Sequence, residues 1–295
     1  FVFSTLNEVT NDMEGLVREQ LSGFEEYIVN NSWVIFMGSV LIVAIISFLY
    51  SLFGTVLKNF ELKLTQRKNG LKLVRGLFNK EEISISKSKV QNISWSDNPL
   101  RRAFKMFTLQ IEQASSAQAD QLKSKIKIPG TYLNQVNDVI NLVFPEEFNR
   151  PEEKHRVSIL LKYRILIFSG VLPALIATMI GYFTLGWGGL WFLLWILPIW
   201  FGVSLYYKKR SFELNDELLK NNSGTFGNYY QVIQLYKVQA VEVKQSWYQR
   251  RKELATVDIE TAAGSMTIPF ISLEKAEALE NFILYKVESD QRKWM

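Results

Sequence analysis

Long uncharged runs are the clearest feature of the hydropathy pattern along this chain. No charged side chain lies between Arg164 and Lys208, and Gly186-Trp187-Gly188-Gly189 interrupts that run near its middle. A hydrocarbon core about 30 Å thick needs about 20 apolar residues in a helix. The run therefore predicts two transmembrane helices, at 165–184 and 190–207, that are joined by a tight glycine turn.

Another uncharged run predicts a transmembrane helix at 33–57. The two charged stretches, 58–150 and 208–295, each have the size of one small domain. The N-terminal part, 1–32, carries apolar residues at near-helical spacing, and we interpret it as an extracytoplasmic connector. A helix lying on the outer membrane surface is the alternative. The apolar start at Phe1 predicts that the chain is truncated before it.

Within the charged stretches, polar and apolar residues alternate over short segments such as Glu61–Thr65 and Phe107–Ile111, which predicts strands. Asn69-Gly70 indicates a tight turn between two of them. Each stretch ends in an amphipathic segment, Tyr132–Phe144 or Leu273–Val287, that predicts a helix. We therefore predict an α+β membrane protein in which transmembrane helices alternate with two small β-barrels, or pairs of orthogonal sheets, each capped by its C-terminal helix.

The two charged stretches are predicted to be copies of one another. Their matches occur in the same order, with an insertion in the first copy before the last of them. They are Gly76 with Gly224, Lys89-Val90-Gln91 with Lys237-Val238-Gln239, Arg102 with Arg250, Ile111-Glu112 with Ile259-Glu260, and Ile126-Lys127-Ile128-Pro129 with Met266-Thr267-Ile268-Pro269.

Two segments of the first copy carry a family resemblance. They are Ile83-Ser84-Ile85-Ser86-Lys87-Ser88-Lys89-Val90-Gln91, and Asn98-Pro99-Leu100-Arg101-Arg102 followed by Phe107-Thr108-Leu109-Gln110-Ile111-Glu112. On these motifs the chain resembles the bacterial PH-domain (bPH2) membrane proteins of the YdbS/YdbT type. The resemblance implies PH-like modules that alternate with transmembrane hairpins, a membrane partner from the same family, and a role in envelope stress protection or antimicrobial resistance.

Basic residues flank the predicted membrane spans on one side. Arg164 and Lys208 close the long uncharged run together with other Lys and Arg residues, whereas residues 1–32 are acidic and the glycine turn is uncharged. Under the positive-inside rule, both charged stretches are cytoplasmic, and the protein lies in the bacterial inner membrane as a multi-pass protein. The inverted orientation is the alternative.

Composition excludes several kinds of chemistry. The chain has no cysteine and one histidine, His155, so thiolate metal sites, cysteine nucleophiles and metal sites with several histidine ligands cannot form. The formal net charge of +5 is explained by the basic residues beside the spans and does not indicate a nucleic-acid partner. We predict no enzymatic activity, no cofactor and no metal. His155 is interpreted as a solvated interfacial side chain, with a pH switch as the alternative.

Clusters of basic residues in both copies are the candidate binding residues. They could contact anionic lipid headgroups or a partner, or simply form a solvated face. The candidates are Lys87, Lys89, Arg101, Arg102 and Lys105 in the first copy, Arg250, Arg251 and Lys252 in the second, with Lys237 and Lys244 beside them.

Three residue pairs in the copies are interpreted as structural. Glu112 and Glu260 occupy equivalent positions in the two copies. This equivalence predicts that they share a structural role and do not form a catalytic pair. Gln91 and Gln239 are expected to bond at a strand corner, and Trp95 and Trp247 are expected to pack rather than anchor the protein in the membrane interface.

These observations predict a non-enzymatic membrane scaffold. Its modules are expected to dock on one another, or on modules of a second membrane subunit or a second copy, through edge strands and barrel faces. The alternatives are a regulatory subunit of a transport or export complex and a module that binds anionic lipid. Transport receives little support, because a transport pathway needs polar residues that face a shared cavity. The predicted spans offer little beyond hydroxyls such as Ser169 and Ser204, which are typical of contacts between membrane helices.

Overall fold

The computed structural model describes residues 32–114, 125–144 and 153–292. The predicted N-terminal connector lies outside them. The strands are β1 (Lys63–Arg67), β2 (Gly70–Arg75), β3 (Glu81–Ser86), β4 (Val90–Ser96), β5 (Met106–Gln113), β6 (Lys125–Tyr132), β7 (Glu153–Arg156), β8 (Ser211–Leu214), β9 (Leu218–Ser223), β10 (Tyr229–Gln234), β11 (Val238–Lys244), β12 (Leu254–Thr261) and β13 (Gly264–Ser272). The α-helices are α1 (Ser32–Lys58), α2 (Pro99–Ala103), α3 (Leu133–Val143), α4 (Leu160–Leu166), α5 (Leu172–Leu185), α6 (Ile196–Lys209), α7 (Trp247–Arg250) and α8 (Leu273–Ser289).

The chain divides into two compact units, one of residues 1–63 and 74–82 and the other of residues 64–73 and 83–295. In the first unit, the segment after β2 is bonded to the end of α1. The Leu77 amide donates to the Leu57 carbonyl at 3.1 Å. These backbone bonds satisfy carbonyls that the end of a helix leaves without an intrahelical partner.

The predicted repeat is confirmed strand for strand. Strands β2, β4 and β5 have 6, 7 and 8 residues, as do their counterparts β9, β11 and β12. Three positions with positive φ also recur, in Gly76 (104°) and Gly224 (119°), Lys105 (55°) and Glu253 (51°), and Gly130 (75°) and Phe270 (54°). Left-handed backbone is unfavourable for most side chains. Its recurrence in non-glycine residues therefore indicates that the fold fixes the chain path.

No sheet among the described strands closes on itself, so these strands do not form the predicted barrels. Each copy, called a module from here on, contributes two groups of three strands. β1, β2 and β3 form one sheet and β11, β12 and β13 another. The remaining strands join in one seven-stranded sheet of order β6-β5-β4-β10-β9-β8-β7, which continues from the first module into the second. Strand β4 uses its edge to pair with the other module instead of closing its own barrel.

The second module has its own apolar core. Val257 and Ile259 of β12 face inward with Met266 and Ile268 of β13, and all four are almost fully buried. Helix α8 adds Ala276, Leu279 and Ile283 at helical spacing. Full burial of a Leu or Ile side chain stabilises a fold by about 1.5–3 kcal/mol, so α8 is an integral part of the module.

The first module buries the same kind of surface. Leu109 and Ile111 alternate in β5 and are fully buried, as is Ile140 of α3. Helix α3 contacts β4, β5 and β6. The helices expected at Tyr132–Phe144 and Leu273–Val287 correspond to α3 and α8.

The long uncharged run forms a helical hairpin. Helix α5 ends at Gly186, which has a φ of 59°, and the returning segment Gly186–Trp195 is a 3-10 helix. Gly181 and Gly189 meet so closely that a Cβ on Gly189 would lie 2.4 Å from the Tyr182 nitrogen. The helix predicted over 190–207 is thus a 3-10 helix up to Trp195 and an α-helix from Ile196.

Two described helical segments, Phe36–Lys58 and Leu160–Lys209, are long and apolar enough to cross a membrane. Several of their hydroxyls form hydrogen bonds within their own helices. Ser169, Thr178 and Ser204 each donate at 2.7 Å to the carbonyl four residues earlier in their own helix. A carbonyl of the same helix is the nearest acceptor for a hydroxyl within apolar surroundings.

Candidate functional site

The junction between the modules is the most elaborate polar site among the described residues. It is defined here as the β4–β10 pair with the turns at 97–98 and 224–228. Strands β4 and β10 are antiparallel, with Ser94 opposite Gln231 and Trp95 opposite Tyr230. The rings of Trp95 and Tyr230 are stacked with centroids 5.2 Å apart. The packing role predicted for Trp95 is confirmed.

A single carboxylate holds the end of this junction. Asp97 accepts hydrogen bonds from the Asn228 amide (2.7 Å), the Asn228 Nδ2 (2.9 Å) and an Arg102 Nη2 (2.7 Å). Burial alone raises the pKa of Asp97, but the hydrogen bonds from Arg102 and Asn228 outweigh it and lower the pKa. Asp97 is therefore ionised at neutral pH and links the two modules.

The same turn is bonded to the end of the helical hairpin. Lys209, the last residue of α6, donates from Nζ to the carbonyls of Thr225 (2.8 Å) and Gly227 (2.9 Å). Gly227 packs so closely on Asp97 that a Cβ there would lie 2.1 Å from the Asp97 carbonyl oxygen. The turn at 224–228 thus connects the helical hairpin, the second module and the first module.

Lys237 crosses the junction from the other end. It is almost fully buried, and its Nζ donates to the carbonyls of Ser88 (3.0 Å) and Val90 (2.6 Å) in the first module. A buried ammonium is costly unless hydrogen bonds satisfy it. Its counterpart in the repeat, Lys89, is exposed. Lys237 is therefore a structural residue of the junction and unavailable to lipid.

Glu112 is buried beside the junction, whereas its counterpart Glu260 is exposed. Glu112 accepts hydrogen bonds from Asn92 (2.9 Å) and Gln110 (2.5 Å) and pairs with Lys125 at 3.3 Å. The prediction of a shared structural role is therefore wrong. The two strands are equivalent, but only β5 lies where the second module covers its polar face.

Other predicted pairs also differ between the modules. Gln91 is fully buried and Gln239 is exposed, because β4 is inside the seven-stranded sheet and β11 is at an edge. Trp247 is 69% exposed and lies under the Arg251 guanidinium, so the packing role expected for it is wrong. His155 is half-buried, with its ring 5.0 Å from that of Phe212, and is not the solvated side chain expected from the sequence.

The structure distributes the candidate basic residues over separate turns. Arg102 is committed to Asp97 and also donates to the Phe226 carbonyl at 3.2 Å. Lipid contact by the others remains a prediction. Lys87 and Lys89 flank the β3–β4 turn, Arg101 lies in α2, Lys105 follows it, and Arg250, Arg251 and Lys252 lie at the end of α7, all partly or fully exposed.

Sequence reasoning missed Asp97, Asn228 and Lys209 as junction residues. Asp97 precedes Asn98-Pro99, and Asn98 caps α2 by accepting from the Arg101 amide at 2.7 Å, so the segment has the pattern of an ordinary helix start. A signal did exist in Gly224 and Gly227, which mark a tight turn. Nothing local identifies the turn's partner in the first module.

Comparison with known proteins agrees with this architecture. The bacterial PH domain family model matches residues 20–146 and 166–287. The chain is 21% identical over 222 residues to the UPF0699 transmembrane protein YdbT of Bacillus subtilis (strain 168). That alignment covers 75% of this chain and 45% of YdbT, so the chain matches less than half of the length of this relative.

Proposed function

This chain belongs to the bacterial PH domain family, and we propose that it is a non-enzymatic membrane scaffold whose modules bind other PH-like modules edge to edge. The observation that carries the proposal is the antiparallel pairing of β4 with β10, through which one module already binds another. Addition of a strand to an exposed sheet edge is a general mode of protein recognition.

The repeat supplies a second pair of edges of the same kind. The counterpart of β4 is β11, and the counterpart of β10 is β3; both are edge strands of their sheets. All seven residues of β4 are buried or half-buried, whereas Gln239, Ala240 and Glu242 of β11 are exposed. Strand β11 thus offers the surface that β4 uses in the junction.

The junction register predicts the register of the proposed contact. In the junction, Ser94 lies opposite Gln231 and Ile93 lies opposite Val232. The repeat counterparts of these pairs are Glu242 opposite Ile83 and Val241 opposite Ser84. Farther along, Lys244, which already pairs with Glu242 and Asp258 in its own module, faces Glu81, so opposite charges lie across the proposed strand pair. Charges on β11 also limit non-specific edge association, so they favour a selective partner. Such head-to-tail pairing leaves further edges available.

A second copy of this chain is the first partner to test. The chain has no cysteine, so single cysteines can be introduced without a background. Two differently tagged copies are co-expressed in membranes, one with Val241→Cys and the other with Ser84→Cys. Opposed residues of an antiparallel pair have Cα atoms about 4.5–5.5 Å apart, which suits a disulfide. We expect a cross-linked dimer after mild oxidation.

The matched control pairs Val241→Cys with Ser86→Cys, on the same face of β3 but two residues out of register. We expect little cross-linking from it. Equal cross-linking of both pairs would indicate random collision, and no cross-linking of either would refute pairing between copies. A role in envelope stress protection stays a prediction from the family resemblance.

Orientation belongs to the same proposal. Lys208 and Lys209 end α6, and Lys58 ends α1, whereas the hairpin turn is uncharged. The positive-inside rule supports a cytoplasmic position for both modules. In that position the open edges of β3 and β11 face partners in the cytoplasm.

A further inference from the structure

A polar pocket lies on the second module beside the end of the membrane hairpin. Its volume is about 200 Å³, enough for a phosphate group with part of its substituent. It is lined by Lys154, Arg156, Lys208, Lys209, Ser211, Asn222, Ser223, Asn228 and Tyr230. Four of these nine side chains are cationic and none is acidic.

Two of the four cations are already used inside the protein. Lys154 pairs with Glu213 at 2.9 Å, and Lys209 donates to the carbonyls of the turn at 224–228. The side chains of Arg156 and Lys208 are exposed and make no ion pair or hydrogen bond with any residue that the structure describes. Two positive charges at the pocket are therefore available to a ligand.

The neutral residues of the pocket supply hydrogen-bonding groups. Ser223 and Tyr230 carry hydroxyls that can donate to an anion. Asn222 is almost fully buried, and its Nδ2 donates to Ser211 (3.2 Å) and Glu213 (3.0 Å), while its Oδ1 has no partner among the described residues.

The fold alone does not require these residues. In the first module, the repeat counterparts of Asn222 and Tyr230 are Val74 and Glu82. Strand β7, which supplies Lys154 and Arg156, has no counterpart there among the described strands. The lining at these positions thus differs between the modules, and its cations come from the two chain segments that connect the second module with the helical hairpin.

We propose that this pocket binds a phosphate-bearing anion, with Arg156 and Lys208 as the charged ligands and Ser223 and Tyr230 as hydrogen-bond donors. Arginine and lysine are common phosphate ligands. Lys208 lies in the last turn of α6, so an anionic phospholipid headgroup is one source of the phosphate. A soluble phosphate is the other. The inference is independent of pairing through β3 and β11.

The test uses the full chain purified in a zwitterionic detergent. Native mass spectrometry counts the phosphatidylglycerol molecules retained from mixed micelles with phosphatidylcholine. We expect one preferentially bound phosphatidylglycerol per chain. The double variant Arg156→Gln/Lys208→Gln should retain it at least about tenfold more weakly, because two charged contacts are lost. Arg67→Gln/Lys68→Gln, which removes the same charge from exposed positions at the end of β1, is the control and should bind normally.

A parallel arm titrates inorganic phosphate without anionic lipid and follows thermal unfolding. A rise in Tm that the double variant loses identifies soluble phosphate as the source, and retention of phosphatidylglycerol alone identifies lipid. Either result supports the pocket. Equal loss of binding in the pocket variant and the control variant would overturn the proposal. Absence of binding in both the lipid and the phosphate experiments would also overturn it. Circular dichroism verifies that the variants are folded.

Discussion

The Lys237 ammonium of the second module donates a 2.6 Å hydrogen bond to the Val90 carbonyl of the first. Lys237 and Lys89 occupy the same place in the repeated Lys-Val-Gln motif, yet one is buried and the other is exposed. The difference arises from docking, because only Lys237 lies where two modules meet. A repeated motif therefore has two roles in one chain.

Replacement of Lys237 should destabilise the protein far more than replacement of Lys89. Lys237→Met removes both hydrogen bonds and leaves the carbonyls of Ser88 and Val90 without this donor, which should cost about 2–4 kcal/mol. Lys89→Met changes an exposed side chain and should stay within about 0.5 kcal/mol. Thermal unfolding of the full chain in detergent measures both. Similar effects of the two variants would contradict the role of Lys237.

Acid should weaken the junction through Asp97. The pKa of Asp97 is lower in the folded protein than in the unfolded chain, where it is about 3.9. Its contribution to stability is therefore fully present above that value and is lost as the pH falls through the lower folded pKa. Asp97→Asn removes the charge, so we expect the stability difference between wild type and variant to shrink below about pH 4.

The measurement is unfolding at a series of pH values from 3 to 7 for both proteins. Asp258→Asn is the control, because Asp258 lies outside the junction. Burial raises the pKa of Asp258, but hydrogen bonds from Thr267 and Lys244 outweigh burial and lower its pKa, as in Asp97. Asp97→Asn alone should also increase protease cleavage between the modules. A constant difference across the pH range would refute the linkage.

Gly227 should tolerate no side chain. A Cβ there would lie 2.1 Å from the Asp97 carbonyl oxygen. Because that oxygen belongs to the backbone, a side-chain rotation cannot relieve the clash. Gly227→Ala should therefore separate the turn at 224–228 from β4 and cost about 2 kcal/mol or more. Gly202→Ala meets only Thr225 at 3.8 Å and is the control. Limited proteolysis of the junction compares the two variants. Equal protease resistance would contradict the close packing of Gly227 on Asp97.

Glu112 and Glu260 offer another comparison within the repeat. Glu112→Gln weakens a buried set of bonds to Asn92, Gln110 and Lys125, which should cost about 1–3 kcal/mol. Glu260→Gln alters an exposed strand position and should change stability by less than about 0.5 kcal/mol. Chemical denaturation of each variant provides the test. A larger effect at Glu260 would show that the burial of Glu112 is of little energetic consequence.

The sequence predicted elements well because local patterns specify them. The alternation in Phe107–Ile111, the Asn69-Gly70 turn and the apolar spacing of α3 and α8 all depend on neighbouring residues. The repeat aligned Gly224 with Gly76, and both have a positive φ. These features need no knowledge of distant contacts.

Docking between modules could not be predicted in this way. The alternation in β4 suggests that Asn92 and Ser94 face solvent, but β10 and the second module bury both. Nothing local to Asp97 identifies Asn228, more than a hundred residues away, as its partner. The same reason explains why the open sheets were not predicted, since long-range contacts decide whether a strand edge closes a barrel or pairs with another module.

The orientation of the modules can be tested with the same cysteine-free background. Gly188→Cys places a thiol at the exposed hairpin turn, and Lys252→Cys places one on the exposed surface of the second module. If both modules are cytoplasmic, a membrane-impermeant maleimide should label Gly188→Cys in intact cells and Lys252→Cys only after lysis. Labelling at Lys252→Cys alone in intact cells would invert the topology. It would also place the basic pocket and the open edge of β11 outside, where the proposed pairing could not occur in the cytoplasm.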